Sequence, residues 1–146
     1  MRALSSARVV VLDADPDHRN FLCSALAALG VTQVLPGGSV DEVRAIDPAP
    51  DICVVDARRL SGGQRVPRNP FDPARTPGIL IIAETSSETL KAAAASGFSA
   101  VLGAPVAPRL LYRRIGSVLQ KARRVGRHSD LEMTARPVTA VALQDA

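Results

Sequence analysis

Two apolar runs in this chain each end on a carboxylate: Val9-Val10-Val11-Leu12-Asp13 near the start, and Ile52-Cys53-Val54-Val55-Asp56 in the middle. An aspartate at the carboxyl end of a buried parallel strand points into the crevice where open α/β sheets bind their ligands, so two at adjacent strand ends can share one cation or anion. The neighbours qualify that chemistry. Asp15 stands two residues beyond Asp13, but Pro16 follows it, and an aspartate before a proline reads as the cap of a helix. Arg58 and Arg59 lie directly after Asp56 and could balance the acids or bind an anion, with solvated surface charge as the default expectation. His18 falls on the exposed side of the first helical turn. With His128 as the one other histidine, no ligand cluster is expected and His18 is assigned to the surface.

The elements that must hold these side chains follow from the apolar pattern. Residues 8–13 read as a buried strand, and Phe21, Leu22, Ala25, Leu26 and Leu29 recur at helical spacing up to Gly30, a helix terminator. Residues 31–35 form a short second strand that Pro36, Gly37 and Gly38 break. Ser39 then caps a helix carrying Val40, Val43 and Ile46, with Glu42 placed for a reciprocal cap. A third strand spans 51–56. From Ala57 to Pro77 the sequence is irregular, with prolines at 67, 70 and 73 that exclude a normal helix. A fourth strand from Gly78 to Ala83, a helix from about Ser87 to Ser96 stopped by Gly97, and a fifth strand from Ser99 to Gly103 come next. In the last helix, about Pro108 to Arg124, Leu111, Ile115, Val118, Ala122 and Val125 make one apolar stripe. The fold class is α/β: a doubly wound parallel (βα)5 sheet, with the third helix missing or replaced by the loop 57–76. Residues 1–126 are expected to form one domain and 127–146 a disordered tail.

Composition sets further bounds. A chain of 146 residues, 47% of them hydrophobic, builds one core. No apolar run approaches the roughly 18 residues that cross a bilayer, and the amino terminus leads into a strand, so a cytoplasmic protein without membrane contact is expected. Cys23 and Cys53 sit within apolar segments and read as small buried hydrophobes. Of the 18 Lys and Arg residues, eight lie from Arg109 onward, which places the excess positive charge on the last helix and tail.

The order of elements, the acidic cluster after the first strand, the lone aspartate after the third and the proline after the fifth together resemble the receiver domain of bacterial response regulators. The likeness covers about residues 7–124. Leu12-Asp13-Ala14-Asp15-Pro16-Asp17-His18-Arg19 is similar to the family's acidic opening, and Val54-Val55-Asp56 to its phosphoacceptor strand. Ser96-Gly97-Phe98-Ser99-Ala100 stands where the family has Ala-Gly-Ala, and Leu102-Gly103-Ala104-Pro105 where it has a Lys-Pro pair. The resemblance implies a flavodoxin-like sheet of order 2-1-3-4-5, Asp56 as phosphoacceptor, and Asp13 with Asp56 as the place of a weakly held Mg²⁺, the one cofactor it brings. Three departures weaken that chemistry. Ala14 replaces the second acid and Ala104 the lysine, and the hydroxyl position falls on Ala83 when the strand is aligned from Pro77, the favoured alignment, with Thr85 offered by a shift of two; alanine supplies neither charge nor hydrogen bond.

What the resemblance implies for function is a stand-alone, atypical receiver in a two-component phosphorelay, not an enzyme, acting by protein-protein contact with weak or absent phosphorylation at Asp56. A functional phosphoacceptor protein is the first alternative. The expected partners are a histidine kinase or another signalling protein and a second copy of the chain, through a face that includes Leu110, Tyr112, Arg113 and Arg114. About twenty residues after the last helix are too few for an output domain. Nucleic-acid binding through the basic last helix and tail is the other alternative. One Tyr, three Phe and no Trp leave little for base stacking and argue against it. A nucleotide- or flavin-binding enzyme is disfavoured because Asp15-Pro16, not a glycine-rich turn, follows the first strand.

Overall fold

The computed structural model describes residues 5–60 and 65–135, with 126–135 as backbone alone. In order come β1 (Arg8–Leu12), α1 (Pro16–Ala28), β2 (Gln33–Gly37), α2 (Val40–Arg44), β3 (Ile52–Asp56), β4 (Gly78–Ile82), α3 (Ser87–Ala95), β5 (Phe98–Gly103) and α4 (Pro108–Ala135). The five strands form one parallel sheet in the order β2-β1-β3-β4-β5. This is the expected topology, and among the described residues no helix lies between β3 and β4.

Alternation along the strands sorts the side chains into two cores. Val9, Val11, Val54, Ile79 and Ile81 face Leu22 and Leu26 of α1 and Leu111, Ile115 and Leu119 of α4. On the other side Val10, Leu12, Cys53, Val55, Leu80 and Ile82 meet Val43 of α2 and Ala93 of α3. Each such Val, Leu or Ile, fully buried, contributes about 1.5–3 kcal/mol. Burial pushes the Cys53 thiol up to about 12. It is a core side chain, as its neighbours in sequence indicated.

The loop after β3 covers the part of the second face that a helix would otherwise cover. Leu60, Val66 and Phe71 pack against that cluster. Asn69, 8% exposed, pins the loop. Its Nδ2 donates to the carbonyls of Thr76 and Gly97, both at 3.0 Å, and its Oδ1 accepts from Phe71 N at 3.0 Å. Arg44 Nε reaches the Pro70 carbonyl at 3.2 Å, and Thr76 Oγ1 donates to the Pro50 carbonyl at 2.9 Å. The chain therefore supplies its own cover for that face.

Several boundaries differ from the sequence reading. β2 runs through Pro36 and Gly37 rather than stopping before them. It is an edge strand, where a proline's missing donor can face away from the ladder. α2 is a single short turn, with Ser39 Oγ accepting from Glu42 N at 3.2 Å while Glu42 Oε2 reaches back to Gly38 N at 3.2 Å. The α4 helix does not end near Arg124 but continues to Ala135, through the first part of the expected tail. Gly126 alone costs only about 1 kcal/mol in a helix, and no proline intervenes before Pro137. The remaining tail, 136–146, lies outside the described residues. Gly30 and Gly97, the expected terminators of α1 and α3, adopt φ of 118° and 91°, a region favourable to glycine. Among the described residues no helix is long and apolar enough to cross a membrane.

Candidate functional site

Register brings the two carboxylates together. Leu12 pairs with Val55, so the next residues, Asp13 and Asp56, leave adjacent strands side by side. Asp13 is anchored first by its backbone, whose N–H donates to the Gly37 carbonyl at 3.0 Å. Its Oδ1 accepts from Asp15 N at 2.9 Å. Asp56 Oδ1 accepts from Arg58 N at 3.0 Å, a local turn that folds the chain back over the strand end. The Asp13 and Asp56 side chains are 3% and 2% exposed. Two carboxylates so buried need compensating charge.

That charge comes from within the chain. Arg58 Nη1 lies 3.0 Å from Asp56 Oδ2 and 3.4 Å from Asp13 Oδ2. His18 Nδ1 is 2.6 Å from Asp13 Oδ2, 3.2 Å from Asp56 Oδ2 and 2.8 Å from Arg58 Nη1. Nδ1 has one site to offer: protonated it donates to a carboxylate, and unprotonated it accepts from the guanidinium. The 2.6 Å contact with Asp13 and the 2.8 Å contact with Arg58 call for opposite states of that atom, so one of the two is a hydrogen bond and the other a close approach. Asp56 Oδ2 is buried without a hydrogen bond of good geometry and is held by these ionic contacts alone.

Asp15 takes the part expected of it as a cap. Its Oδ1 accepts from the backbone N–H groups of Asp17 and His18 at 3.1 and 3.3 Å. Its Oδ2 binds Arg58 Nη2 and Arg59 Nη2, each at 2.9 Å. The His18 backbone hydrogen bond lowers the Asp15 pKa against the opposing effect of burial, helped by Arg59, the Asp17 N–H and Arg58. Burial works against the Arg58 charge, yet Asp56, Asp13 and Asp15 together raise its pKa. Arg19 Nη1 donates to the Asp13 carbonyl at 2.7 Å and braces the same strand end.

The three alanines stand apart from this cluster in different ways. Ala14 is exposed, Ala83 is exposed beyond the end of β4, and Ala104 is half-buried in the turn after β5. Beside the carboxylates lies a cleft of about 420 Å³, lined by His18, Arg58, Arg59, Ile81, Ala104, Pro105 and Val106. From β4 its wall is Ile81, and among the described residues neither a hydroxyl side chain nor a lysine lines it. On α4, Leu110 is 39% exposed, and Arg113 and Arg114 are exposed with it on one side of the helix. Tyr112 is half-buried against the α1 and α4 core and does not share that surface.

His18 is the main correction. Helical periodicity assigned it to solvent, but the first turn of α1 sits over the strand ends, so its outward side there faces the carboxylates. Arg58 is likewise not a solvated charge. The signal for it was its place two residues after Asp56, where an aspartate side chain bends the chain back.

With Arg58 Nη1 at 3.0 and 3.4 Å from the two carboxylates, the site does not fit Mg²⁺. That ion takes near-octahedral oxygen coordination at about 2.0–2.1 Å. Here Asp13, His18 and Asp56 offer two carboxylate oxygens and one nitrogen, all within 4.8 Å of one another. A guanidinium nitrogen stands among them, and alanine occupies the second acidic position.

No protein-family model and no curated protein matches the sequence. Solved structures do match its fold. A CheY-like response regulator receiver domain protein from Methanospirillum hungatei JF-1 superposes with a TM-score of 0.62 at 18% identity, over 80% or more of both chains (81% of this one, 97% of that one). The chain has the receiver fold. A response regulator receiver protein from Burkholderia phymatum is 25% identical, with a TM-score of 0.59, covering 79% of this chain and 96% of that one. A pilus assembly-related protein from Burkholderia pseudomallei K96243 is 19% identical, with a TM-score of 0.62, covering 80% and 92%. In this receiver fold the pocket at the ends of β1 and β3 is filled by side chains of the same chain.

Proposed function

We propose that this is a receiver-type signalling protein of the two-component class that acts by binding other proteins, without phosphoryl turnover at Asp56. One observation carries the reading: the buried Asp56 Oδ2 and Asp13 Oδ2 are already paired with Arg58 and His18. An in-line phosphoryl transfer needs the acceptor oxygen free, cations placed on the transferring group, and little else from the protein. Here the acceptor is engaged, and Ala104 replaces the lysine. Removing one preorganised charged group from such a site commonly costs on the order of 3 kcal/mol in barrier, about a hundredfold in rate.

The surface of Leu110, Arg113 and Arg114 on α4 supports a docking role, with a kinase, another signalling protein or a second copy of the chain as partner. An apolar side chain flanked by two arginines suits a surface of mixed apolar and acidic character. The functional reading is tested with a small phosphodonor and Mg²⁺, read by intact mass, with Asp56→Asn as control. No adduct is expected. A stoichiometric adduct that Asp56→Asn abolishes would establish the phosphoacceptor alternative instead.

A further inference from the structure

Three potential ligand atoms converge on one atom of the protein itself. Arg58 Nη1 lies 2.8 Å from His18 Nδ1, 3.0 Å from Asp56 Oδ2 and 3.4 Å from Asp13 Oδ2, while those three atoms lie within 4.8 Å of one another. A cation shared by the two buried carboxylates would have to sit among the same atoms. We infer that Arg58 is a tethered cation, occupying the place where the receiver resemblance would put a divalent ion, and that ion binding and the resting position of Arg58 exclude each other.

Three features of the arrangement support this. The Asx turn at Asp56 fixes the Arg58 backbone at 3.0 Å from Asp56 Oδ1, so the guanidinium is delivered by the residue it neutralises. Its second nitrogen is held by Asp15 Oδ2 at 2.9 Å, which locks the fork across two acids rather than leaving it to swing. The side chain is 21% exposed, so most of it is withdrawn from solvent among the acids. A divalent ion would have to displace a positive charge already compensating both carboxylates. The inference shares with the functional reading only the premise that the pocket is filled at rest.

The test is Mn²⁺ binding to the full chain, followed by the loss of the free-ion electron paramagnetic resonance signal. The wild type is expected to show no saturable binding below millimolar Mn²⁺. Arg58→Ala should bind at least about tenfold more tightly, the least expected when a like charge is removed from within about 4 Å of the ion. Adding Asp56→Asn to that variant should abolish the gain. Arg58→Gln, which keeps the bulk and a hydrogen-bond donor but not the charge, provides the same comparison should the alanine variant fail to fold by circular dichroism. Saturable micromolar binding by the wild type, or no gain in a folded Arg58 variant, would overturn the inference. Tight binding by the wild type would also remove the premise shared with the functional reading, whereas no gain in a folded Arg58 variant would leave that reading intact. Conversely, a phosphoryl adduct on Asp56 would sink that reading while leaving the Mn²⁺ comparison to stand on its own.

Discussion

Replacing Asn69 by alanine should cost about 3 kcal/mol of folding stability. The side chain makes three hydrogen bonds, to the carbonyls of Thr76 and Gly97 and from the N–H of Phe71, each worth about 1 kcal/mol net. The surroundings leave little room for compensation: a Cβ added at Gly78 would meet Asn69 Nδ2 at 3.0 Å, and one at Gly97 would meet Asn69 Cβ at 3.3 Å. A loss of that size is a large part of the roughly 5–15 kcal/mol by which a domain of this kind is stable. The assay is urea unfolding followed by far-ultraviolet circular dichroism, with stability from linear extrapolation. Asn69→Asp is the discriminating control, because it keeps the shape and the Phe71 acceptor but aims an oxygen at two carbonyl oxygens. It should be destabilised at least as much as the alanine variant. An aspartate variant within about 1 kcal/mol of wild type would show that shape, not hydrogen bonding, holds the loop, and would refute the reasoning.

Other outcomes follow from the same geometry. Arg58→Ala should destabilise the protein by about 3 kcal/mol, since it leaves two buried carboxylates short of a partner. Asp56→Asn in that background should recover part of the loss, and strict additivity of the two substitutions in urea unfolding would contradict the shared pairing. Asp15 has a lowered pKa in the folded state, so its stabilising effect is present above its unfolded value of about 3.8 and is lost as pH falls through the lower folded value. Asp15→Asn should therefore unfold at a lower temperature than wild type at neutral pH, with the gap closing in acid; a gap constant with pH would count against the assignment. Both thiol pKa values are raised by burial, that of Cys53 to about 12. Iodoacetamide at about pH 8 should label Cys23 first and Cys53 only after denaturation, as peptide mass spectrometry can show.

Much of the fold was legible because local signals agreed with one another. Asp15-Pro16, Ser39 and the glycines at 30 and 97 mark helix ends by chemistry that does not depend on tertiary context. The strand endings on Asp13 and Asp56 placed the carboxylates correctly. What the sequence concealed were partners whose position depends on how one element lies over another. The helical period describes which side of α1 meets the sheet, but at its first turn the sheet has already ended, so His18 turns toward a pocket that the periodic pattern does not represent. Arg58 was hidden by the irregular loop, where no period exists to read. The far end of α4 was misplaced because a loss of apolar periodicity was equated with a loss of helix, whereas beyond Arg124 the backbone meets only one glycine, Gly126, and no proline before Pro137.

The α4 helix has a mechanical consequence. Its inner side is buried through Leu111, Ile115, Val118 and Leu119, while Val125 is 59% exposed and the backbone continues to Ala135. From Leu119 to that end is about 24 Å at 1.5 Å per residue. A tilt of roughly 10° at the anchored half would carry the tip sideways by about 4 Å, a lever arm that amplifies a displacement too small to register inside the sheet.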